Sequence, residues 1–155
     1  MIAKLTVFLI AAGAAVAQTA GHPEGLSARF TAGMALQYLD EPWVRTLGAS
    51  VRIPLHGRFG LEPEFAVAGS VYRQWTLIPN LIVDLSDRRK RAVAYLIGGA
   101  GYFHELDTRI HYERDSWIWN AGVGVRVRAG KRVFVSPEFR AGDLARASVS
   151  IGYFF

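Results

Sequence analysis

The chain has 155 residues, 51% apolar and 20% charged, with a formal charge of +5 and no cysteine. That length suits a single domain, and the missing cysteine excludes disulfides, thiolate zinc sites and cysteine nucleophiles. The positive balance would suggest nucleic acid in a cytosolic chain, but the N-terminus reads as an export signal, so nucleic acid is not an expected partner and anionic lipid or lipopolysaccharide headgroups are the expected counter-charge.

Met1-Ile-Ala-Lys4 is a short positive start, Leu5 to Ala17 is apolar apart from Thr6, and Ala15-Val-Ala17 has the small-x-small pattern of a cleavage site. The run falls short of the roughly 20 apolar residues of a spanning helix. Residues 1–17 are therefore expected to be a cleaved signal peptide and 18–26 a short flexible tail, leaving 27–155 as the folded domain.

From Ser27 onward apolar and polar residues alternate with a period of two, in eight runs separated by turn residues. The first, Ser27 to Tyr38, sets Phe30, Ala32, Met34 and Leu36 against Arg29, Thr31 and Gly33, and stops at Asp40-Glu-Pro42. The second, Trp43 to Pro54, opposes Leu47, Ala49, Val51 and Ile53 to Thr46, Gly48, Ser50 and Arg52. After His56-Gly-Arg58, the third, Phe59 to Val71, opposes Phe59, Leu61, Phe65 and Val67 to Glu62, Glu64 and Ala66. The fourth, from about Gln74 to Leu85, opposes Trp75, Leu77, Leu81 and Val83 to Thr76, Asn80 and Asp84, with Ile78 and Ile82 interrupting its polar face.

Ser86-Asp-Arg-Arg-Lys-Arg91 leads to the fifth run, Ala92 to His104, which is apolar on both faces but small on the one bearing Ala92, Ala94, Gly98 and Ala100. A polar connection is expected over Glu105 to Asp115. The sixth, Ser116 to Arg128, sets Trp117, Trp119, Val123, Val125 and Val127 against Asn120, Gly122, Gly124, Arg126 and Arg128. Ala129-Gly-Lys131 turns it into the seventh, Arg132 to Arg140. The eighth, Ala145 to Phe155, gathers Ala147, Val149, Ile151, Tyr153 and Phe155 on one wholly apolar face. In water such a face is an aggregation site; in a membrane barrel it meets lipid while its edges pair with neighbours.

The expected fold is all-β: an eight-stranded antiparallel up-and-down transmembrane β-barrel after a cleaved N-terminal signal peptide. Followed up and down, it gathers Arg58, Arg88, Arg89, Lys90, Arg91, Lys131 and Arg132 at one end, and Asp40, Glu41, Glu105, Asp107, Glu113, Asp115 and Asp143 at the other. Trp43, Trp75, Trp117 and Trp119 fall at the acidic end, and Phe59, Tyr153 and Phe155 at the basic end, as two aromatic girdles.

Gly57-Arg-Phe-Gly-Leu-Glu-Pro-Glu-Phe65 is similar to Lys131-Arg-Val-Phe-Val-Ser-Pro-Glu-Phe139 at an offset of 74 positions, which also pairs Trp43 with Trp117 and Arg52 with Arg126. Two readings stand: a duplicated hairpin, or the restricted vocabulary of barrel strands. Pro63, Pro79 and Pro137 lack a ladder donor, so local bulges are expected there.

The span Ser27 to Phe155, and above all Ile151-Gly-Tyr-Phe-Phe155, resembles the small eight-stranded outer-membrane barrels of the OmpA transmembrane-domain and OmpX type. The resemblance implies that the segment bearing Val149, Ile151, Tyr153 and Phe155 is the signal read by the barrel-assembly machinery. It also implies a bacterial outer-membrane location. Proteins of that type often continue into a peptidoglycan-binding domain; the resemblance here covers only Ser27 to Phe155, so tethering is not expected from it.

On the inward face, Arg29, Arg52, Arg126, Arg140 and Arg146, with Arg128, are expected to pair with Glu62, Glu64, Asp84 and Glu138. Hairpin geometry places Arg52 opposite Glu62 and Arg126 near Glu138. An eight-stranded bore is just wide enough for side chains to fill, so the charges are expected to plug it; a narrow anion-favouring pore is the alternative. Catalytic constellations are weak. His104, Asp107, His111 and Asp115 lack a recognised metal-ligand spacing. Ser116 lies near His111, yet the last strands lack the His-x-Ser of lipid A deacylase barrels. The reading is of a monomeric, cofactor-free, non-enzymatic barrel serving envelope integrity or surface interaction, with a pore or a soluble lipocalin-like carrier as alternatives.

Overall fold

A computed structural model describes residues 25–36, 44–69, 72–107 and 112–155; the expected signal peptide, most of the tail, Tyr38, Trp43 and His111 lie outside them. Eight strands follow one another: β1 (Ser27–Leu36), β2 (Val44–Pro54), β3 (Phe59–Gly69), β4 (Tyr72–Asp84), β5 (Ala92–Asp107), β6 (Tyr112–Arg128), β7 (Val133–Gly142) and β8 (Ala145–Phe154). Each pairs antiparallel with the next, and β8 returns to β1, so the sheet closes without an edge. Paired positions traced once around, from Val127 through Val135, Ile151, Phe30, Ala49, Phe65, Leu77 and Tyr102, come back to β6 at Trp117, ten residues from the start. This stagger tilts the strands and sets which side chains meet across the bore.

The period of two decides which face goes where. Phe30, Trp117 and Ile151 are 75%, 80% and 62% exposed on the outside, whereas Arg29 and Glu64 are 5% and 1% exposed inside. The lipocalin-like arrangement needs the opposite sorting, an apolar lumen within a charged exterior, and is excluded by it.

Two expectations are corrected and a third observation is explained. The prolines do not form bulges. Pro63 stands opposite Pro79 in the β3–β4 ladder, and the ladders β2–β3, β4–β5 and β6–β7 each skip two pairs beside a proline while the register on either side is unchanged. Each missing N–H opens one ladder locally, whereas a bulge would insert a residue and flip the alternation beyond it. The β2–β3 and β6–β7 gaps fall at the same places 74 positions apart, between Ser50 and Ile53 and between Gly124 and Val127.

Secondly, most of Glu105 to Asp115 is strand. Leu106 pairs with Glu113 and Asp107 with Tyr112, so β5 and β6 form the longest hairpin and only residues 108–111 are left to join them. Residues beyond the aromatic rim need no apolar face, so their alternation vanishes while backbone pairing continues. Thirdly, both faces of β5 are apolar because the bore is apolar in places. Val93, Tyr95 and Ile97 point inward and are buried, and Ile78 and Ile82 join them from β4. Glycines opposite make room: a Cβ on Gly124 would collide with the Tyr95 ring, and one on Gly152 with the Phe134 ring.

Candidate functional site

The lumen is filled in three tiers. At the basic end, Asp84 closes β4 and accepts hydrogen bonds from three guanidiniums: Arg52 Nη2 at 2.6 Å, Arg88 Nε at 2.6 Å and Arg126 Nη2 at 3.3 Å. Arg88 also donates to the Phe59 carbonyl at 2.8 Å, and Arg128 donates to the Arg88 carbonyl at 2.9 Å. Arg126 stacks over Tyr95 and Phe134, with Arg128 over Phe154. Cation–π contact adds to the hold on Arg126 and Arg128.

The middle tier joins Arg29, Arg140 and Arg146 to Glu62, Glu64 and Glu138. Arg29 pairs with Glu62 and, at 3.0 Å, with Glu138. It also donates to Ser50 Oγ at 3.1 Å and to the Tyr95 hydroxyl at 3.0 Å, while Tyr95 donates to Glu138 at 2.7 Å. Ser50 Oγ donates to Glu62 at 3.0 Å. Arg140 bridges Glu138 and Glu64, both at 2.6 Å, and Arg146 reaches Glu64 at 2.6 Å. Three cations face three anions, so the tier is neutral. Multiple bonds to each carboxylate offset the desolvation that makes isolated buried charges so unfavourable.

Towards the acidic end the lining turns apolar. Ile78, Phe103 and Ile118 cluster with Leu144, beside a cavity of about 50 Å³ that Thr46, Ala66, Gln74 and Asn120 also line.

All ten residues expected in the lumen, Arg128 included, point into the bore, but Arg52 and Arg126 do not take the expected partners. Arg52 and Arg126 go to Asp84, 32 and 42 positions away, while Glu62 and Glu138 go to Arg29. Hairpin neighbours are not the partners because each of these pairs joins strands two apart in the closed barrel (β2 and β4, β4 and β6, β1 and β3, β7 and β1), whose inward side chains meet at one level of the tilted bore. The alternation sets Ser50 and Asn80 on the polar faces, and the turn pattern sets Arg88 at the basic end, but neither marks them as members of the network, and Tyr95 and Ser136 are not singled out at all. Tyr95 had a readable sign: it stands directly opposite Gly124.

Outside, Trp75, Trp117 and Trp119 face outward near the acidic end, and Trp75 stacks with Tyr102 at 5.3 Å and with His104 at 5.4 Å. Trp43 is outside the described residues. At the basic end Tyr153 and Phe155 touch edge-on at 5.5 Å, and the Tyr153 hydroxyl accepts from Arg132 at 3.0 Å, a bond that raises the pKa of this turn guanidinium. Val149 and Ile151 continue the same apolar face. His104 Nδ1 lies 2.8 Å from Asp115, and neither belongs to a group of three or more potential metal ligands among the described residues.

The closed eight-stranded antiparallel barrel is a fold found among solved membrane barrels, the Yersinia pestis outer membrane protein Ail among them. The N-terminal β-barrel domain of Pseudomonas aeruginosa OprF has this fold: it is 13% identical, covers 83% of this chain and 97% of its own, and superposes with a TM-score of 0.68. Neisserial surface protein A gives 11% identity, 84% and 96% coverage and the same TM-score of 0.68. A de novo designed transmembrane β-barrel gives 14%, 86%, 98% and 0.60. No protein-family model matches the sequence, and no curated protein sequence matches it. The shared feature is the fold.

Proposed function

We propose that the protein is a non-enzymatic barrel of the bacterial outer membrane whose lumen is plugged by charge, serving envelope integrity or surface interaction. The observation that carries the reading is the neutral middle tier: Arg29 and Arg140, with Glu62, Glu64 and Glu138, span the bore almost wholly buried. An ion would have to break several charge-assisted bonds to pass. The three tier carboxylates are each bound to arginine, which leaves none of them as a free acid or base.

In this reading the basic turns face the periplasm and the long β5–β6 hairpin faces outward, with lipid and lipopolysaccharide headgroups at the aromatic rims. The face carrying Val149, Ile151, Tyr153 and Phe155 is what the assembly machinery reads, and the barrel works as a monomer. The test is conductance in planar bilayers after heat-modifiable gel migration has verified folding. No regular steps are expected; reproducible anion-selective steps would favour the pore.

A further inference from the structure

The two charged tiers of the lumen are not balanced alike. Arg52, Arg88 and Arg126 share the single carboxylate of Asp84, and Arg128 joins them through the Arg88 carbonyl. Four cations thus meet one anion, an excess of three charges at one end of a narrow bore. The other described side-chain carboxylate at this end, Asp87, is exposed in its turn and accepts the Arg89 amide. Burying like charges without counter-ions is strongly unfavourable. A cavity of about 20 Å³ lies among these groups, lined by Ser27, Arg52, Arg88, Arg126, Arg128 and Phe154. Arg52 is 7% exposed, and its Nη1 is buried with no hydrogen-bond partner.

We propose that this end of the lumen is an anion site that takes the terminal oxygens of a phosphate group. The cavity exceeds the ~10–15 Å³ that one water-sized atom needs, so it admits one or two oxygens and leaves the rest of the group at the mouth. Guanidinium forks match tetrahedral oxyanions bidentately, which favours phosphate over chloride. The phosphate is either free in solution or part of a lipid headgroup. The site does not depend on the lumen being closed to ions.

The experiment follows thermal unfolding of the purified full-length barrel in zwitterionic detergent, with sodium phosphate added against sodium chloride of equal ionic strength. A second arm dopes the micelles with dihexanoyl phosphatidic acid against dihexanoyl phosphatidylcholine. Wild type is expected to gain stability saturably in at least one phosphate arm, and a response confined to the second identifies a headgroup. Arg128→Met removes a charge without stranding a carboxylate and should weaken apparent affinity about tenfold or more, the loss of one charge-assisted bond. Asp84→Asn removes the competing anion and should tighten it, a change of opposite sign that a purely structural role does not produce. No saturable response in either arm, or an Arg128→Met response equal to wild type, overturns the proposal.

Discussion

The middle and basic tiers of the lumen use the same side-chain chemistry to opposite effect. In the middle, Arg29, Arg140 and Arg146 are matched one for one by glutamates. At the basic end Asp84 alone serves Arg52, Arg88 and Arg126. In a matched tier, deleting any cation leaves one buried negative charge in excess. An over-supplied tier loses one of several equivalent bonds. Position in the barrel matters less than the ratio of charges.

The largest effect should follow from Arg29→Met. Glu62 and Glu138 both lose a buried partner, and destabilisation of about 3–5 kcal/mol is expected, the usual loss on breaking a buried pair. Urea unfolding of the refolded barrel followed by tryptophan fluorescence measures it. Adding Glu62→Gln, which leaves two cations against two anions, should restore much of the loss; a double variant no better than Arg29→Met would show that the arginine acts through packing alone.

Tyr95→Phe ranks next. The hydroxyl accepts from Arg29, donates to Glu138 and lies 2.8 Å from Ser136, all in the buried centre. Its removal leaves those groups short of a partner, for about 1–3 kcal/mol, while the ring still fills the space against Gly124. The same unfolding measurement should find a smaller shift than for Arg29→Met, and a larger one would place the tier's centre on the tyrosine.

How far this was legible in the sequence divides along the same line. The inward placement of Arg29, Arg52, Glu62, Glu64, Glu138 and Arg140 follows from period-two alternation, which a lipid-facing strand enforces residue by residue. Which arginine meets which carboxylate does not. Arg29 and Glu138 are 109 positions apart, and they meet because β8 closes the barrel onto β1, which leaves β1 and β7 only two strands apart. Tyr95 escaped notice because both faces of its strand are apolar, so alternation carried no sign there. The polar stretch after His104 misled for the converse reason: past the rim, backbone pairing holds the strand without any apolar pattern.

The smallest single effects belong to the basic tier, where the repeated hairpins supply Arg52 and Arg126 at equivalent positions. Either arginine replaced by Met leaves Asp84 bound to two guanidiniums, so each change should be worth about 1–2 kcal/mol or less, below the range for a fully broken buried pair. The two values should be similar, although Arg52 makes the shorter bond, 2.6 Å against 3.3 Å. Arg126 offsets that difference by covering Tyr95 and Phe134. Replacing both leaves only Arg88, which is anchored in a turn and not in the wall. The double variant should therefore lose more than the sum of the singles, since the two arginines substitute for each other only while one remains. A double-mutant cycle in urea gives the sign directly. Strict additivity would mean that Asp84 draws on each arginine independently, and a single-variant loss as large as that of Arg29→Met would mean that this tier is as finely matched as the middle one.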